Sequence, residues 1–194
     1  LINDLRPIKI EDLLARDFVE PQHDLLGIGV KGVSVMVIGA GGSIGSELCK
    51  QILSLNPKNI ILFDISESSL YKLNNLLINE NRNNIDLIPI IGNACNYLYL
   101  KNIVNLYSVT TIFHAAAYKH VPLVELNPLE GIYNNVFSTL TICKVAFDSE
   151  SIKQMIFIST DKAVRPTNVM GASKRLGELI VQGYAKKILD SDKS

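Results

Sequence analysis

A hydroxyl, a carboxyl and an amine stand side by side directly after one apolar run of the sequence. The run 155–159 leads into Thr160, Asp161 and Lys162. A carboxylic acid and an amine that share a site can act as general acid and general base, provided that burial or a neighbouring charge adjusts each pKa. The alternative is that Asp161 and Lys162 form a solvated ion pair in a loop.

A methionine and a lysine follow, one helical turn apart. Met170 and Lys174 lie in the stretch 169–187, which has helical spacing, so both side chains belong to one helix face. The thioether of Met170 can neither give nor take a proton. Another group must therefore move protons if this helix borders a reaction site. The alternative gives Met170 a place in the core and Lys174 a place on the surface.

Glycines with a regular spacing follow the first apolar run, 33–38. Gly39, Gly42 and Gly45 form a GxxGxxG pattern. Such glycines let the chain turn sharply, bring bare backbone to a pyrophosphate and pack a helix close to a strand. The helix that follows would point its free N–H groups and its positive dipole end at the phosphates. We therefore predict a dinucleotide site rather than a plain glycine turn.

A carboxylate ends the second apolar run, 59–63, near the distance from the glycines that dinucleotide sites show. Asp64 can accept hydrogen bonds from both hydroxyls of the adenosine ribose and would repel a 2′-phosphate, so the sequence predicts NAD rather than NADP. The alternative for Asp64 is an exposed turn residue. Ser66 either assists Asp64 at the dinucleotide site or caps the next helix. Asn93 either accepts a hydrogen bond from the adenine amino group or belongs to a turn.

The elements that must position these residues alternate regularly. Short apolar runs predict five buried strands, and residues at helical spacing predict a helix after each. The strands are predicted at 33–38, 59–63, 87–91, 111–115 and 155–159. One predicted helix has a face made of Ile132, Val136, Leu140, Cys143 and Phe147. Helical crossovers between parallel strands give an α/β fold with a doubly wound, Rossmann-like parallel sheet.

Composition fits one globular domain, predicted over 33–194, after a lead-in segment and linker over 1–32. Hydrophobic residues make up 47% of the 194 residues, and the net charge is zero because Lys+Arg and Asp+Glu both number 19. A neutral chain argues against nucleic acid and anionic membranes as partners. We see neither a signal peptide nor an apolar run of the roughly 18 residues that a membrane helix needs.

Three cysteines, Cys49, Cys95 and Cys143, are widely spaced along the chain. Their odd number and spacing fit neither a disulfide framework nor a zinc site, so we predict no metal. The absence of such a framework indicates a reducing compartment. We expect all three as buried apolar side chains.

Three long motifs, taken in order, resemble one known family. They are GAGGSIGSEL at 39–48, HAAAYKHVP at 114–122 and STDKAVRPTNVMG at 159–171. With the lead-in DLRPIKIEDLLAR, they are similar to the nucleotide-sugar 4,6-dehydratases among the extended short-chain dehydrogenase/reductases. The likeness is greatest to the membrane-anchored UDP-N-acetylglucosamine 4,6-dehydratases of the capsular polysaccharide type. The superfamily usually has tyrosine where Met170 stands, and that subfamily is similar in having methionine.

The resemblance implies an NAD-dependent lyase that acts on a UDP-linked sugar. A hydride leaves C4, a base removes the C5 proton while an acid helps the C6 hydroxyl leave as water, and the hydride returns to C6. Lys162 is then the expected base, and Asp161 the expected acid in apolar surroundings that raise its pKa. Thr160 would hydrogen-bond the reacting hydroxyl, and Lys174 would hold the nicotinamide ribose. The C4 hydroxyl proton would go to Asp161, or to Thr160 with a water.

The remaining site residues follow from the same resemblance. Lys119 is expected to pair with the substrate diphosphate, and Asn135 to lie near the active site and contact the substrate. Two of the three histidines are expected to play no chemical part, His114 as a hydrogen-bonded core residue and His120 as a packed or solvated loop residue. The residues expected to contact NAD are Gly39, Gly42, Ser43, Ile44, Gly45, Asp64, Ser66, Asn93, Ala94, Ala115, Ala116, Ala117, Ser159 and Lys174.

Little sequence follows the helix of Met170 and Lys174. The resemblance places a further strand and most of the sugar-nucleotide pocket after it, including what holds uracil and the N-acetyl group. We therefore expect this truncated domain to fold around NAD but to be poorly active alone. A nucleotide-sugar 4-epimerase, which needs no acid–base pair at C5 and C6, and a catalytically silent NAD-binding module remain as alternatives.

The same resemblance implies a cellular location. We expect a cytoplasmic location, at the cytoplasmic face of the inner membrane for a membrane-anchored parent protein. This segment itself is expected to make no membrane contact, and a homo-oligomer is compatible with the sequence.

Overall fold

A computed structural model describes residues 27–191 of the chain. Most of the predicted lead-in, 1–26, and residues 192–194 lie outside them. Residues 27–33 form turns that pack against the sheet, because Val30 is buried in the core and Thr111 donates a hydrogen bond from Oγ1 to the Gly29 carbonyl, 2.5 Å away. The end of the predicted linker is therefore part of the packed body.

Strands and helices alternate through the described residues. The strands are Ser34–Ile38 (β1), Asn59–Asp64 (β2), Asp86–Ile91 (β3), Thr111–His114 (β4) and Gln154–Phe157 (β5). The helices are Ser43–Ser54 (α1), Glu67–Glu80 (α2), Tyr97–Leu106 (α3), Val121–Leu126 (α4), Pro128–Ile132 (α5), Ser138–Phe147 (α6) and Val169–Ser191 (α7). A π-helical turn, Tyr133–Phe137, joins α5 to α6, and a 3₁₀ turn, Asp161–Ala163, precedes α7.

The strands form one parallel sheet in the order β3-β2-β1-β4-β5. The chain moves outward from β1 to β3 and then returns to the other side of β1 with β4. The doubly wound, Rossmann-like fold predicted from the sequence is confirmed. Folds of this kind bind ligands where the strand order reverses, at the carboxyl ends of the strands. Here that point lies between β1 and β4, just after Ile38 and His114.

Helices cover both faces of the sheet. Along β1, Val35 and Val37 enter the core on one face, and Met36 and Ile38 enter the core on the other, because successive strand residues point in opposite directions. Side chains of α1 and α2 complete the first core, and side chains of α3 and α6 complete the second. The strand that carries the glycine turn is therefore enclosed on both sides.

The segment between β4 and β5 differs from the prediction of one regular helix. The predicted face is broken, because Val136 and Cys143 are buried whereas Ile132 and Leu140 are each 38% exposed. The π-helical turn at 133–137, whose hydrogen bonds run from i to i+5, shifts Ile132 relative to the positions that follow the turn. Leu140 lies after the turn, outside the buried face of α6 that contains Thr139, Ile142 and Cys143.

Two of the three cysteines occupy the core as predicted. Cys49 and Cys143 are buried, and burial raises the pKa of their thiols to about 12 and about 11. Both therefore remain protonated and unreactive at neutral pH. The prediction is wrong for Cys95, which is only half-buried because it lies in the loop between β3 and α3.

Candidate dinucleotide and active site

Two glycines of the predicted motif occupy positions that a side chain would block. Gly39 has φ +82°, and a Cβ there would lie 2.5 Å from the backbone nitrogen of Ala116. A Cβ on Gly45 would overlap the Gly39 carbonyl. Gly39 thus makes the sharp turn after β1, and Gly45 lets α1 approach the strand. The geometry predicted for these two glycines is confirmed.

The amino end of α1 is open to solvent. Gly42 is its N-cap residue and supplies no side chain to the free N–H groups of the first turn. Ser43 and Ile44 are exposed at the same end. Such an end attracts an anion, because the helix dipole and the unpaired N–H groups act together.

The sequence prediction passed over one glycine of this turn. A Cβ on Gly41 would lie 2.6 Å from the Cβ of Ser69 and 3.2 Å from Asp64 Oδ2. The signal was the third glycine in Gly-Ala-Gly-Gly, which the GxxGxxG spacing does not use. Gly41 therefore lets the glycine turn lie against the start of α2.

Asp64 ties the glycine turn to α2 through both of its carboxylate oxygens. Oδ2 accepts a hydrogen bond from the Gly41 backbone N–H, and Oδ1 accepts one from the Ser66 backbone N–H, each 2.8 Å away. Each carboxylate oxygen has a further lone pair for another donor. The Ser66 hydroxyl accepts a hydrogen bond from Ser69 N–H, 3.4 Å away, so of the two roles weighed for Ser66 the structure displays the helix cap.

A cleft of about 250 Å³ lies at the switch point and brings most of the predicted cofactor residues together. Of those residues, the ones that line it are Gly39, Gly42, Asp64, Ser66, Asn93, Ala94, Ala115, Ala116 and Ala117. Within it, Asn93 makes a turn, because its Oδ1 accepts a hydrogen bond from the Cys95 N–H, 2.8 Å away. Ser159 and Lys174 are not among its lining residues. Ser159 instead donates a hydrogen bond to Glu178 Oε1, 2.5 Å away.

The acid–base residues lie on an exposed turn. Thr160 Oγ1 donates a hydrogen bond to Asp161 Oδ1, 2.9 Å away, and Lys162 Nζ lies 3.6 Å from the same oxygen. The side chains of Asp161 and Lys162 are 88% and 52% exposed. The hydrogen bond from Thr160 and the charge of Lys162 hold the pKa of the Asp161 carboxyl below its usual value. The expected apolar surroundings and raised pKa are therefore wrong for this structure, which displays a solvated ion pair.

Lys174 is enclosed, unlike the pair on the turn. Its side chain is buried, its Nζ donates a hydrogen bond to the Ile158 carbonyl, 2.7 Å away, and it lies 4.3 Å from the ring centre of Phe157. Burial lowers the pKa of this amine to about 8, against an opposing effect of Glu178. Met170 is also buried, which fits the alternative that gave it a place in the core, whereas the surface place that this alternative gave Lys174 is wrong.

His114 is a core residue, as predicted. The ring is fully buried, and Nε2 lies 3.0 Å from Thr139 Oγ1. Burial, followed by the charge of Lys174, lowers the pKa of His114 to about 3, so the imidazole is neutral at physiological pH. His120, by contrast, is exposed just before α4, which is the solvated loop position that was expected.

Asn135 links the loop after β4 to α7. Its Oδ1 accepts a hydrogen bond from Tyr118 N–H, 2.7 Å away, while Nδ2 donates to the Tyr118 carbonyl and to Ser173 Oγ, 3.1 and 3.0 Å away. Ser173 in turn donates to the Met170 carbonyl, 2.7 Å away. The amide of Asn135 is thus directed into the protein, and we replace its predicted substrate contact with a positioning role.

Two residues of this region escaped the sequence prediction. Ser173 lies buried between Met170 and Lys174, and the small polar residue beside the lysine was the available signal. Glu125 of α4 accepts a hydrogen bond from the Val169 backbone N–H at the start of α7, 2.6 Å away. Nothing in the sequence pairs Glu125 with Val169, since 44 positions separate them.

Lys119 lies beside the open end of α1. Its Nζ donates a hydrogen bond to Ser43 Oγ, 3.3 Å away. The exposed ammonium therefore adds a positive charge next to the first turn of α1. Its predicted pairing with the substrate diphosphate stays a prediction.

Within residues 27–191, no group of three or more His, Cys, Asp or Glu side chains is arranged to hold a metal ion. No helix in that range combines the length and the apolar composition needed to cross a membrane.

The chain is similar to proteins of polysaccharide biosynthesis. The family model described as "Polysaccharide biosynthesis protein" matches residues 35–194. The capsular polysaccharide biosynthesis protein CapD of Staphylococcus aureus is 40% identical over 181 residues, which cover 93% of this chain and 30% of CapD. The resemblance noted from the sequence motifs is confirmed at the level of this family.

Solved structures share the fold. The structure of Pen from Bacillus thuringiensis has a TM-score of 0.73 and 31% identity, over 80% of this chain and 48% of that one. UDP-glucose 4-epimerase from Bifidobacterium longum, solved with NAD+ and UDP, has a TM-score of 0.68 and 20% identity, over 78% of this chain and 48% of that one. The chain thus spans about half the length of these structures and less of CapD.

Proposed function

The chain belongs to the polysaccharide biosynthesis protein family, and we propose that it forms the NAD-binding part of a nucleotide-sugar 4,6-dehydratase that acts on UDP-N-acetylglucosamine. One observation carries the proposal. The glycine turn and Asp64 border a cleft at the switch point, and the loop after the neighbouring strand β5 supplies Thr160, Asp161 and Lys162. A dinucleotide site beside an acid–base pair is what removal of hydride followed by loss of water requires.

The residues of the cleft fit NAD. Gly39 and Gly45 leave space that a Cβ would fill, and the open end of α1 suits a pyrophosphate. Asp64 retains lone pairs for the ribose hydroxyls and repels a 2′-phosphate. When bound, the nicotinamide supplies an acceptor for hydride and later returns it. Lys174 donates to the Ile158 carbonyl, and we propose that its remaining N–H groups donate to the hydroxyls of the nicotinamide ribose.

We assign the C4 hydroxyl proton to Asp161 rather than to Thr160 with a water, because the lowered pKa of Asp161 keeps its carboxyl ionised, although it also makes the carboxylate a weaker base. An ionised carboxylate can take the C4 hydroxyl proton while the hydride leaves C4, and Thr160 holds Asp161 Oδ1 in place. The protonated Asp161 then gives that proton to the C6 oxygen, which leaves as water, while Lys162 in its neutral form takes the C5 proton. Hydride returns to C6 and the proton returns to C5, which leaves a 4-ketone and a 6-deoxy carbon.

This scheme needs the exposed turn to be covered. Within residues 27–191 the side chains of Asp161 and Lys162 remain 88% and 52% exposed. Two things could cover this turn in the full-length protein. One is the bound sugar nucleotide, and the other is the part of the relatives' length that this chain does not span. For that reason the whole reaction is proposed for the full-length protein, and NAD binding for this chain.

The test uses the full-length protein with NAD and UDP-N-acetylglucosamine in deuterated water. A product with a 4-keto group, a 6-deoxy carbon and deuterium at C5 supports the dehydratase, because C5 loses and regains its proton. Inversion at C4 without loss of water would identify a 4-epimerase instead. NAD binding with no change in the sugar would identify a silent NAD-binding module.

A further inference from the structure

The first turn of α7 is held by a side chain from another helix. Glu125 of α4 accepts a hydrogen bond at Oε1 from the Val169 backbone N–H, 2.6 Å away. Val169 is the first residue of α7, so its N–H is one of those that the helix itself leaves unpaired. A carboxylate at this end of a helix also interacts favourably with the helix dipole. Glu125 therefore fixes the start of a helix that lies 44 positions later in the sequence.

The contact of Glu125 supplements a local cap. Asn168 accepts a hydrogen bond at Oδ1 from the Gly171 backbone N–H, 2.8 Å away. That bond joins neighbouring residues, so it shapes the end of α7 without attaching it to another element. The contact of Asn135 attaches α7 further along, at Ser173. Among residues 27–191, Glu125 is thus the hydrogen-bond partner that ties the first turn of α7 to a different element.

The backbone of the acid–base turn rests on this first turn of α7. A Cβ on Gly171 would overlap the carbonyl oxygen of Lys162 and would lie 3.2 Å from the Cβ of Pro166. Ala163, in the same 3₁₀ turn, is buried, although the side chains of Asp161 and Lys162 are exposed. The place of the two exposed side chains is therefore set by where the start of α7 lies.

Glu125 stands apart from the ligand cavities. Of the cavities formed by residues 27–191, it lines neither the dinucleotide cleft nor the neighbouring cavity of about 410 Å³, which Leu123 and Val124 of the same helix line. An effect of Glu125 on the reaction would therefore reach the reacting groups through α7.

We propose that Glu125 is a positioning residue for the loss of water: by holding the first turn of α7, it fixes the surface on which the turn of Asp161 and Lys162 rests. The inference rests on the proposed function, because that function assigns the acid–base work to this turn. Without Glu125 the first turn of α7 opens, and the acid and the base lose their position relative to the sugar. Small displacements of reacting groups cost much of a rate.

Steady-state kinetics of the full-length protein with NAD and UDP-N-acetylglucosamine test this role. Glu125→Ala should lower kcat about tenfold, while KM and the dissociation constant of NAD change by less than about twofold. Glu125→Gln should keep most of kcat, because its amide oxygen can accept the Val169 N–H in the same place. Glu150→Ala is the matched control: Glu150 is exposed before the amino end of β5, and its loss should leave all three constants unchanged.

Amide hydrogen exchange separates a local effect from a loss of the fold, because it reports the opening of each segment. In Glu125→Ala, peptides that cover 160–172 should exchange faster than in the wild type, and peptides that cover the glycine turn, 39–48, should exchange at the wild-type rate. Faster exchange in both segments, with NAD affinity falling together with kcat, would show a general destabilisation and overturn the positioning role.

Two kinetic results overturn the role of Glu125 and leave the dehydratase intact. One is a wild-type kcat in Glu125→Ala. The other is a Glu125→Gln protein as slow as Glu125→Ala, since the effect would then not depend on an acceptor for the Val169 N–H. A wild-type full-length protein that forms no 4-keto-6-deoxy product overturns the proposed function, and with it the part of Glu125 in that reaction.

Discussion

The amide of Asn135 donates to the hydroxyl of Ser173 across 3.0 Å, and so joins the π-helical turn to α7 between Met170 and Lys174. The same amide holds both backbone groups of Tyr118, which lines the cofactor cleft. One side chain thus fixes the position of the β4 loop relative to the lysine-bearing helix.

Replacement of Asn135 by alanine should destabilise the chain by about 2–3 kcal/mol, because it leaves buried groups of Tyr118 and Ser173 without partners. Chemical denaturation measures the free energy of unfolding. Asn102→Ala, at an exposed position of α3, should change it by less than about 0.5 kcal/mol. The double variant with Ser173→Ala should be less destabilised than the sum of the singles. Strict additivity would show that the contact carries no energy.

Gly45→Ala should abolish NAD retention and lower the free energy of unfolding by about 1–3 kcal/mol, because the methyl group would overlap the Gly39 carbonyl. Equilibrium dialysis and thermal denaturation measure the two effects. Gly183→Ala is the matched control, since no atom lies within 4 Å of the place that its methyl group would take on α7, and it should stabilise by about 0.5–1 kcal/mol. Equal behaviour of the two variants would refute the close approach of α1 to the glycine turn.

Asp64→Ala should weaken NAD binding about 10- to 100-fold, because charged hydrogen bonds to the ribose are lost. It should also narrow the preference for NAD over NADP, since the repulsion of a 2′-phosphate disappears with the carboxylate. Isothermal titration calorimetry measures the dissociation constants of NAD and of NADP. Asp86→Ala, at the exposed opposite end of the adjacent strand β3, should leave both affinities unchanged. If Asp64→Ala binds NAD as the wild type does, the ribose contact is wrong.

Lys174 should make stability rise between about pH 8 and pH 10.5. The pKa of its amine is about 8 in the folded chain, against an ordinary value of 10.5 for lysine, so in this interval the unfolded chain binds the extra proton. Stability then increases with pH, by up to about 3 kcal/mol relative to Lys174→Met, in which nothing titrates at this position. Urea denaturation at several pH values measures the difference between the two chains. A difference that stays constant from about pH 7 to about pH 11 would show that the amine is not desolvated.

The sheet was predictable because its three central strands, β1, β2 and β4, are buried on both faces. Such strands appear in the sequence as short apolar runs. Residues 35–38 enter the two cores alternately, because successive side chains of a strand point to opposite faces. The prediction of burial is wrong for the edge strands β3 and β5, which are partly exposed. The glycine turn was predictable because backbone geometry demands glycine at Gly39 and Gly45. These features depend on residues close together in the sequence.

The missed features depend on contacts between distant residues. The π-helical turn that directs Asn135 inward leaves no pattern in the sequence, and Ser173 and Glu125 act through partners on other elements. The exposure of Asp161 could not be predicted from the sequence either, because it depends on what covers the turn rather than on the residues within the turn.

The two hydrogen bonds that Asp64 accepts from Gly41 and Ser66 have a consequence for affinity. Folding alone orients the carboxylate, so an arriving nucleotide does not have to freeze that side chain. Preorganised acceptors of this kind lose little rotational entropy on association, and their binding energy appears almost undiminished in the dissociation constant.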